Sequence, residues 1–298
     1  MTDTGINRPV IAGIGEILWD VIGDSEKLGG APINFAYHAG QLGARAHAVS
    51  TIGTDRRGAA ALQTLKNAGM TTDHITEIKG VPTGYVTADV AKDGVATYDF
   101  PDNVAWDQIR IEAATMDLAV KLEAICFGSL AQRSQVSRKA IHHYLASVKP
   151  GTLKIFDLNI RQNFYSKMII RDSLKLTDIL KLNDDEIKIL ADLEDLHGDT
   201  GQQLRQLIDN YDLRLAVLTR GGNGSLLVST QSVSDHPGFK TDMVDTIGAG
   251  DSFTAVTALG VLKGYSLQAI NEHANRVAAF VCSQKGAIVP LPEEFQQW

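Results

Sequence analysis

Along most of this chain, short apolar runs alternate with stretches whose apolar positions recur every three or four residues; the first read as strands, the second as helices. Val10-Ile-Ala-Gly-Ile-Gly-Glu-Ile-Leu18 has the nearly unbroken apolar character of a strand covered on both faces. Ala46 to Ile52, Ala124 to Gly128, Leu153 to Asn159, Ile179 to Leu182, Leu215 to Thr219 and Ser225 to Val228 read the same way. Helices are expected from Pro32 to Leu42, from Arg57 to Ala68 with a stop at Gly69, and from Asp107 into the 110s. Others are expected over Gln135 to Ser147, Ser252 to Leu262 and Asn271 to Cys282. Strand followed by helix, repeated, implies parallel crossovers and a doubly wound, mostly parallel sheet flanked by helices.

The pattern changes between Thr83 and Phe100. Gly84-Tyr-Val-Thr-Ala-Asp-Val90 and Val95-Ala-Thr-Tyr-Asp-Phe100 flank Ala91-Lys-Asp-Gly94, whose Asp-Gly marks a hairpin. A β-ribbon set into a parallel fold belongs outside the sheet, as a flap over substrate, an edge ribbon or a contact between copies of the chain. No repeat, low-complexity tract or long linker divides the sequence, so a single α/β domain over residues 1–298 is expected.

Composition narrows the function. With 298 residues, 44% hydrophobic and 21% charged, the chain has ample material for a large globular core. A net charge of −7 without a basic stripe argues against nucleic acid and membrane surfaces as partners, and an anionic substrate then needs local cations or a metal. Cys126 and Cys282 lie far apart in apolar runs, which predicts reduced, buried packing residues. The polar start Met1-Thr-Asp-Thr-Gly-Ile-Asn-Arg-Pro9 lacks the apolar segment of a signal peptide, and the longest apolar runs are too short for a bilayer, so the cytoplasm is the expected location.

The candidate chemistry centres on Asp245-Thr-Ile-Gly-Ala-Gly-Asp251, immediately before a helix-period run. Gly248 and Gly250 free the backbone, so that the N–H groups of Ala249, Gly250 and Asp251 can converge on an anion at a helix N-terminus. A carboxylate at that spot suits a base that takes a proton from a hydroxyl attacking the anion, which is the chemistry of phosphorylating an alcohol; Asp251 as a plain N-cap is the alternative. Asp20 leaves the carboxyl end of an apolar strand, where open α/β sheets bind ligands, or simply starts a turn; Asn34, in the first turn of a helix opened by Gly29-Gly30, can donate to and accept from a sugar hydroxyl. Arg161, after Asp157 and Asn159, is a cation placed to meet phosphate. Asn183 and Glu186, three residues apart, fit either Mg²⁺ held directly or through water, or a capping box. Gly13-x-Gly15 lacks the third glycine of a dinucleotide site and is set aside.

Together these segments resemble the PfkB, or ribokinase-like, family of sugar and nucleoside kinases over nearly the whole chain. Gly29-Gly30-Ala-Pro-Ile-Asn34 through Leu42-Gly43 matches one family signature and Asp245 to Phe253 the other, with Asn183-x-x-Glu186 and Thr219-Arg-Gly-Gly-Asn-Gly224 between them. Gly15-Glu-Ile-Leu-Trp-Asp20 and Asp157-Leu-Asn-Ile-Arg161 look most like the fructokinase branch, although Ile247 replaces the usual Val or Thr and Asn163-Phe-Tyr replaces Leu-Trp. The resemblance implies a ribokinase-like fold with a lid formed by roughly 19–28 and 83–105. It implies Asp251 as base beside an anion hole of Gly248, Ala249 and Gly250, with Asp20, Gly30, Asn34 and Arg161 on the sugar side. Asn183, Thr219, Gly221, Gly222, Gly224 and Asn275 would line the nucleotide cleft, with Mg²⁺ at Asn183 and Glu186 through water. In many relatives a monovalent cation, usually K⁺, sits behind the anion hole; here Asp245 and carbonyls near Ile247, Val281, Gln284 and Gly286 would hold it. The implied activity is transfer from ATP to a sugar, fructose first, with ribose, 2-keto-3-deoxygluconate or a nucleoside as other acceptors. A homodimer paired through the lids is implied too. A catalytically silent relative that binds sugar or nucleotide is the competing class, and the intact Asp251, Gly248, Gly250, Asn183 and Glu186 count against it.

Overall fold

A computed structural model describes residues 8–23, 25–90 and 96–297. The chain begins with β1 (Val10–Ile14), β2 (Leu18–Ile22) and β3 (Ser25–Gly29), then α1 (Ala31–Gln41), β4 (Arg45–Gly53), α2 (Arg56–Asn67) and β5 (Ile75–Ile78). The hairpin β6 (Gly84–Val90) and β7 (Ala96–Asp99) comes next, then α3 (Ala113–Ala119), β8 (Ala124–Gly128), α4 (Gln135–Ser147) and β9 (Leu153–Asp157). α5 (Lys167–Leu174), β10 (Ile179–Asn183), α6 (Glu186–Glu194), α7 (Thr200–Tyr211) and β11 (Leu215–Thr219) continue the alternation. β12 (Ser225–Ser229), β13 (Val233–His236), α8 (Ala249–Leu262) and α9 (Leu267–Cys282) complete it.

The expected doubly wound sheet is present. Nine strands run in the order β13-β12-β11-β10-β9-β8-β1-β4-β5, parallel from β11 to β5, with β12 and β13 antiparallel at one edge. Side chains alternate across it, as the pleat requires: Ile125 and Phe127 of β8 join the core on one face, Ala124 and Cys126 the core on the other. α8 lies on the second face, buried from Ser252 to Gly260 between α1, α9 and the sheet, which is why its sequence is apolar all round rather than along one stripe.

A second sheet, in the order β3-β2-β6-β7, stands apart from the first. β6 and β7 pair antiparallel, whereas β2 pairs parallel to β6. The expected turn at Ala91-Lys-Asp-Gly94 lies outside the described residues.

Several expectations need correction. The apolar run from Val10 to Leu18 is two strands in two sheets: β1 ends at Ile14, and Leu18 opens β2. The glycines there serve packing. A Cβ on Gly13 would meet the Pro32 carbonyl oxygen at 1.9 Å and one on Gly15 the Pro32 ring at 2.7 Å, so their absence lets the start of α1 press onto the strand end. No helix starts at Asp107. A 3₁₀ turn covers Ala105–Gln108, and the Asp107 carboxylate is held by the Arg133 guanidinium at 2.8 Å and by the Val104 N–H, a long-range tie that local sequence does not encode. The strand expected to reach Asn159 stops at Asp157, because Asn159 adopts φ 43°. Helix α9 starts at Leu267, capped by Ser266, rather than at Asn271. Cys126 is buried and free as expected, but Cys282 is only half-buried. Among the described residues no helix is long and apolar enough to cross a membrane.

Candidate active site

The carboxyl ends of the parallel strands, the inner side of the second sheet and the first turn of α8 enclose a cavity of about 1200 Å³, room for two small ligands side by side.

At its centre is the start of α8. Gly248 takes φ 81°, and a Cβ there would meet the Ala287 backbone at 2.8 Å, so only glycine fits. No side chain caps this helix. Gly248, Ala249, Gly250 and Asp251 all line the cavity, and their first-turn N–H groups lie one turn short of any intrahelical acceptor. The result is a positively polarised backbone cradle. The Asp251 carboxylate beside it accepts a 2.8 Å hydrogen bond from Asn34 Nδ2. Burial, and then the Asp157 charge, push Asp251 up to about 6, against the Asn34 bond and the cations Lys181 and Arg161. A carboxyl poised there is ionised at neutral pH yet more basic than an ordinary aspartate.

The residues expected on the sugar side gather around α1. Gly30 has φ 121° and a Cβ on it would strike the Glu16 carbonyl oxygen at 2.2 Å; one on Gly29 would come within 2.9 Å of Asp20 Oδ2. Asp20, on β2, is raised by burial and lowered by Arg161 and Lys27. Arg161 is exposed at the cavity wall, with Nη1 donating to the Ile160 carbonyl. The next residue, Gln162, takes φ 46° and donates to the Tyr98 carbonyl of β7, joining this loop to the second sheet.

On the other side, Asn183, Thr219, Gly221, Gly222, Gly224 and Asn275 all reach the same cavity. Gly224 passes so close to β13 that a Cβ would meet the His236 carbonyl oxygen at 2.0 Å. The Asn275 amide nitrogen is committed to Ser225 Oγ at 2.7 Å and to Asn271. Glu186 does not line the cavity. Its oxygens accept from Ile160 N at 2.8 Å and Asn183 N at 2.9 Å, while Asn183 Oδ1 accepts from Glu186 N at 2.9 Å. The capping arrangement is therefore real, and any ligation by Glu186 uses the remaining lone pairs. Among the described residues no three His, Cys, Asp or Glu side chains form a metal cage. Asn183 Oδ1 also accepts from Asp185 N at 3.0 Å, so a Mg²⁺ at this edge of the cavity would be held largely through water.

Behind the cradle, Asp245 Oδ1 accepts from Ile247 N at 3.1 Å, and Oδ2 accepts from Gly286 N at 3.0 Å and from Lys27 Nζ at 3.2 Å. The Val281 carbonyl accepts from Gln284 N at 3.0 Å. Asp245 N donates to the Cys282 carbonyl at 3.1 Å, which joins this loop to the end of α9, and the Lys27 ammonium is the cation the described residues place at the Asp245 carboxylate.

Two buried charged residues of the cavity escaped the sequence analysis. Glu16 is 1% exposed, accepts from Ala31 N at 3.3 Å through Oε1, and is pushed up to about 7 by burial. Lys181 is 8% exposed and pairs with buried Asp157 at 3.0 Å. Each is a charge inside an apolar strand run, a signal visible in sequence.

A family model described as pfkB family carbohydrate kinase matches residues 14–294. Fructokinase-2 of Zea mays is 28% identical, the alignment covering 95% of this chain and 91% of that protein. The fructokinase of Escherichia coli is 25% identical, covering 89% and 88%. Among solved structures, an uncharacterized sugar kinase from Pyrococcus horikoshii in complex with ATP superposes with a TM-score of 0.81 at 25% identity, covering 97% of each chain.

Proposed function

This chain belongs to the pfkB family of carbohydrate kinases, and we propose that it transfers the γ-phosphoryl group of ATP to a sugar hydroxyl, with fructose as acceptor and fructose 6-phosphate as product. The observation that carries the reading is the uncapped first turn of α8 with Asp251 at its head, lying between a glycine-and-asparagine subsite on one side and a glycine-rich cleft on the other.

In this mechanism Asp20, Gly30 and Asn34 hold the sugar, and the acceptor oxygen lies against Asp251. As that oxygen bonds to the γ-phosphorus, the bond to the ADP oxygen breaks and the hydroxyl proton passes to Asp251. The N–H groups of Ala249, Gly250 and Asp251, anchored by Gly248, stabilise the charge on the phosphoryl oxygens, and Arg161 meets phosphate from the sugar side. Thr219, Gly221, Gly222, Gly224 and Asn275 receive the nucleotide. Asn183 and Glu186, largely through water, would hold Mg²⁺, which would supply positive charge to the phosphates. Asp245 and the carbonyls around Ile247, Val281, Gln284 and Gly286 would hold K⁺, which would add a positive charge behind the cradle.

The second sheet, within roughly 19–28 and 83–105, acts as the lid of one kinase domain. A homodimer paired through the lids is part of this reading, and a monomeric mass by light scattering at assay concentration removes that assignment. We place the working protein in the cytoplasm, where ATP and free sugar meet.

The likeness to fructokinases over nearly their full length supports fructose. The test is ADP release from ATP and Mg²⁺ over a panel of fructose, ribose, glucose, tagatose, 2-keto-3-deoxygluconate and nucleosides. Saturable turnover on fructose is expected; turnover on another member moves the substrate, and silence across the panel ends the kinase reading.

A further inference from the structure

Lys181 is out of place by every local rule. It sits in β10 with a parallel strand on either side, between Leu180 and Leu182, both 0% exposed. Burying an ammonium there costs several kcal/mol unless a partner compensates it. The partner is Asp157, directly opposite in the β9–β10 register, with Nζ donating to Oδ1 at 3.0 Å. The other Asp157 oxygen lies 3.1 Å from Thr254 Oγ1 of α8, a hydroxyl that is also 2.9 Å from the Gly250 carbonyl. The ion pair is thereby joined to the first turn of the helix that forms the cradle.

Three features separate this pair from a packing device. Lys181 lines the cavity. A Cβ on Gly250 would lie 3.0 Å from Nζ, so the bare glycine gives the ammonium its place beside the cradle. An ammonium has three N–H donors, and the one acceptor the described residues give it is Asp157. A pair that served packing alone would gain nothing over two apolar side chains of similar volume.

We propose that Lys181 is the charged donor of the anion hole: its ammonium, alongside Gly250, binds an oxygen of the phosphoryl group during transfer, and Asp157 is the fixed counter-charge that holds it there. This rests on the phosphoryl-transfer reading above and adds a cation to its backbone donors. Lys181 keeps its proton throughout, and the acceptor's proton still goes to Asp251. The ion pair with Asp157, at 3.0 Å, is what keeps the buried ammonium in its charged form. Arg161, exposed and bonded to its own neighbour's carbonyl, is the less desolvated of the two cations and belongs to the sugar side.

The test uses the double variant Lys181→Met/Asp157→Asn, which removes both charges and leaves neither bare, together with Lys181→Arg, which keeps the pair but displaces the donors. Both are expected to bind ADP and fructose within about threefold of wild type while kcat falls about 100- to 1000-fold in the double variant and at least about tenfold in Lys181→Arg. A second readout is ADP affinity with aluminium fluoride and fructose present, a mimic of the phosphoryl group in flight. Wild type should tighten on ADP when fluoride is added, and the double variant should not. Turnover within about threefold of wild type, or equal tightening, would assign the pair to packing and overturn the proposal. If the double variant does not fold, Lys181→Arg decides by the same two readouts. A wild type that neither turns over a sugar nor responds to aluminium fluoride fails at the kinase reading itself, which is a different result from an active wild type matched by its variants.

Discussion

Two helices begin at the cavity, and they begin almost alike. α1 follows Gly30 at φ 121° and α8 follows Gly248 at φ 81°; neither has a side-chain cap, and the two are joined by the Asn34–Asp251 bond. Their first turns differ in what happens to the N–H groups. In α1 every one is spent: Ala31 N on Glu16, Ile33 N and Asn34 N on the Gly30 carbonyl at 3.0 Å, while Pro32 has none. In α8 the nearest acceptor for Ala249 N is the Thr246 carbonyl at 3.4 Å, and the turn stays open toward the cavity. A closed first turn offers an incoming ligand side chains, which suits a neutral sugar. An open one offers dipole and donors, which suits a phosphate. On the proposed function, one structural device serves twice, and the two substrates are divided by which donors it leaves unpaired.

The largest break in this contrast is Asp251→Asn. It leaves the open turn intact and removes the base, so kcat should fall by about 100- to 10,000-fold with fructose binding nearly unchanged, read by steady-state kinetics beside calorimetry. The same variant reports on stability. Because the folded Asp251 is raised from 3.8 to about 6, its contribution is fully favourable below pH 3.8 and is lost as pH rises through about 6. Asp251→Asn should therefore melt higher than wild type at pH 8 and gain little at pH 4.

Gly248→Ala attacks the open turn itself. Its Cβ meets the Ala287 backbone at 2.8 Å at a positive φ. A loss of about 1–3 kcal/mol in stability is expected from urea melts, with kcat reduced up to about 100-fold by displacement of the cradle. Gly30→Ala is the counterpart on the closed turn. It should raise the fructose KM about tenfold while changing kcat less, whereas equal effects from both glycines on both constants would erase the division of labour.

The smallest effect expected is at Asp245. Replacing K⁺ by tetramethylammonium should lower kcat a few-fold, and Lys27→Ala, by removing the competing ammonium, should lower the K⁺ concentration for half-maximal rate. Equal rates in the two salts would show that the loop needs no metal.

The sheet and both helix starts were legible because their signals are local: apolar runs of strand length, glycines where the backbone is crowded, and an aspartate after Gly-Ala-Gly. The second sheet was only half legible. Leu18 and Trp19 are as apolar as the strand before them, and nothing in their order says that they leave one sheet for another; the break is dictated by Pro32 packing against Gly13 and Gly15 from a distant point in sequence. The 3₁₀ turn at Ala105–Gln108 is likewise set by Arg133 rather than by its own residues. Lys181 and Glu16 were written in the sequence as charges within apolar runs, but their meaning depends on Asp157 and Ala31, which only the fold brings to them.

The most direct test of Asp251 as a buried base beside an anion cradle is the pH dependence of kcat/KM for fructose, which reports groups of the enzyme before the sugar binds, for wild type and Asn34→Ala from pH 5 to 9. On this account an ionised Asp251 is the active form, so wild-type kcat/KM should fall as pH drops through about 6. Asn34→Ala removes the 2.8 Å hydrogen bond that favours the ionised form and should move that fall to higher pH. A wild-type profile that is flat through pH 6, or an acid limb that stays in place when Asn34 is removed, would contradict the account.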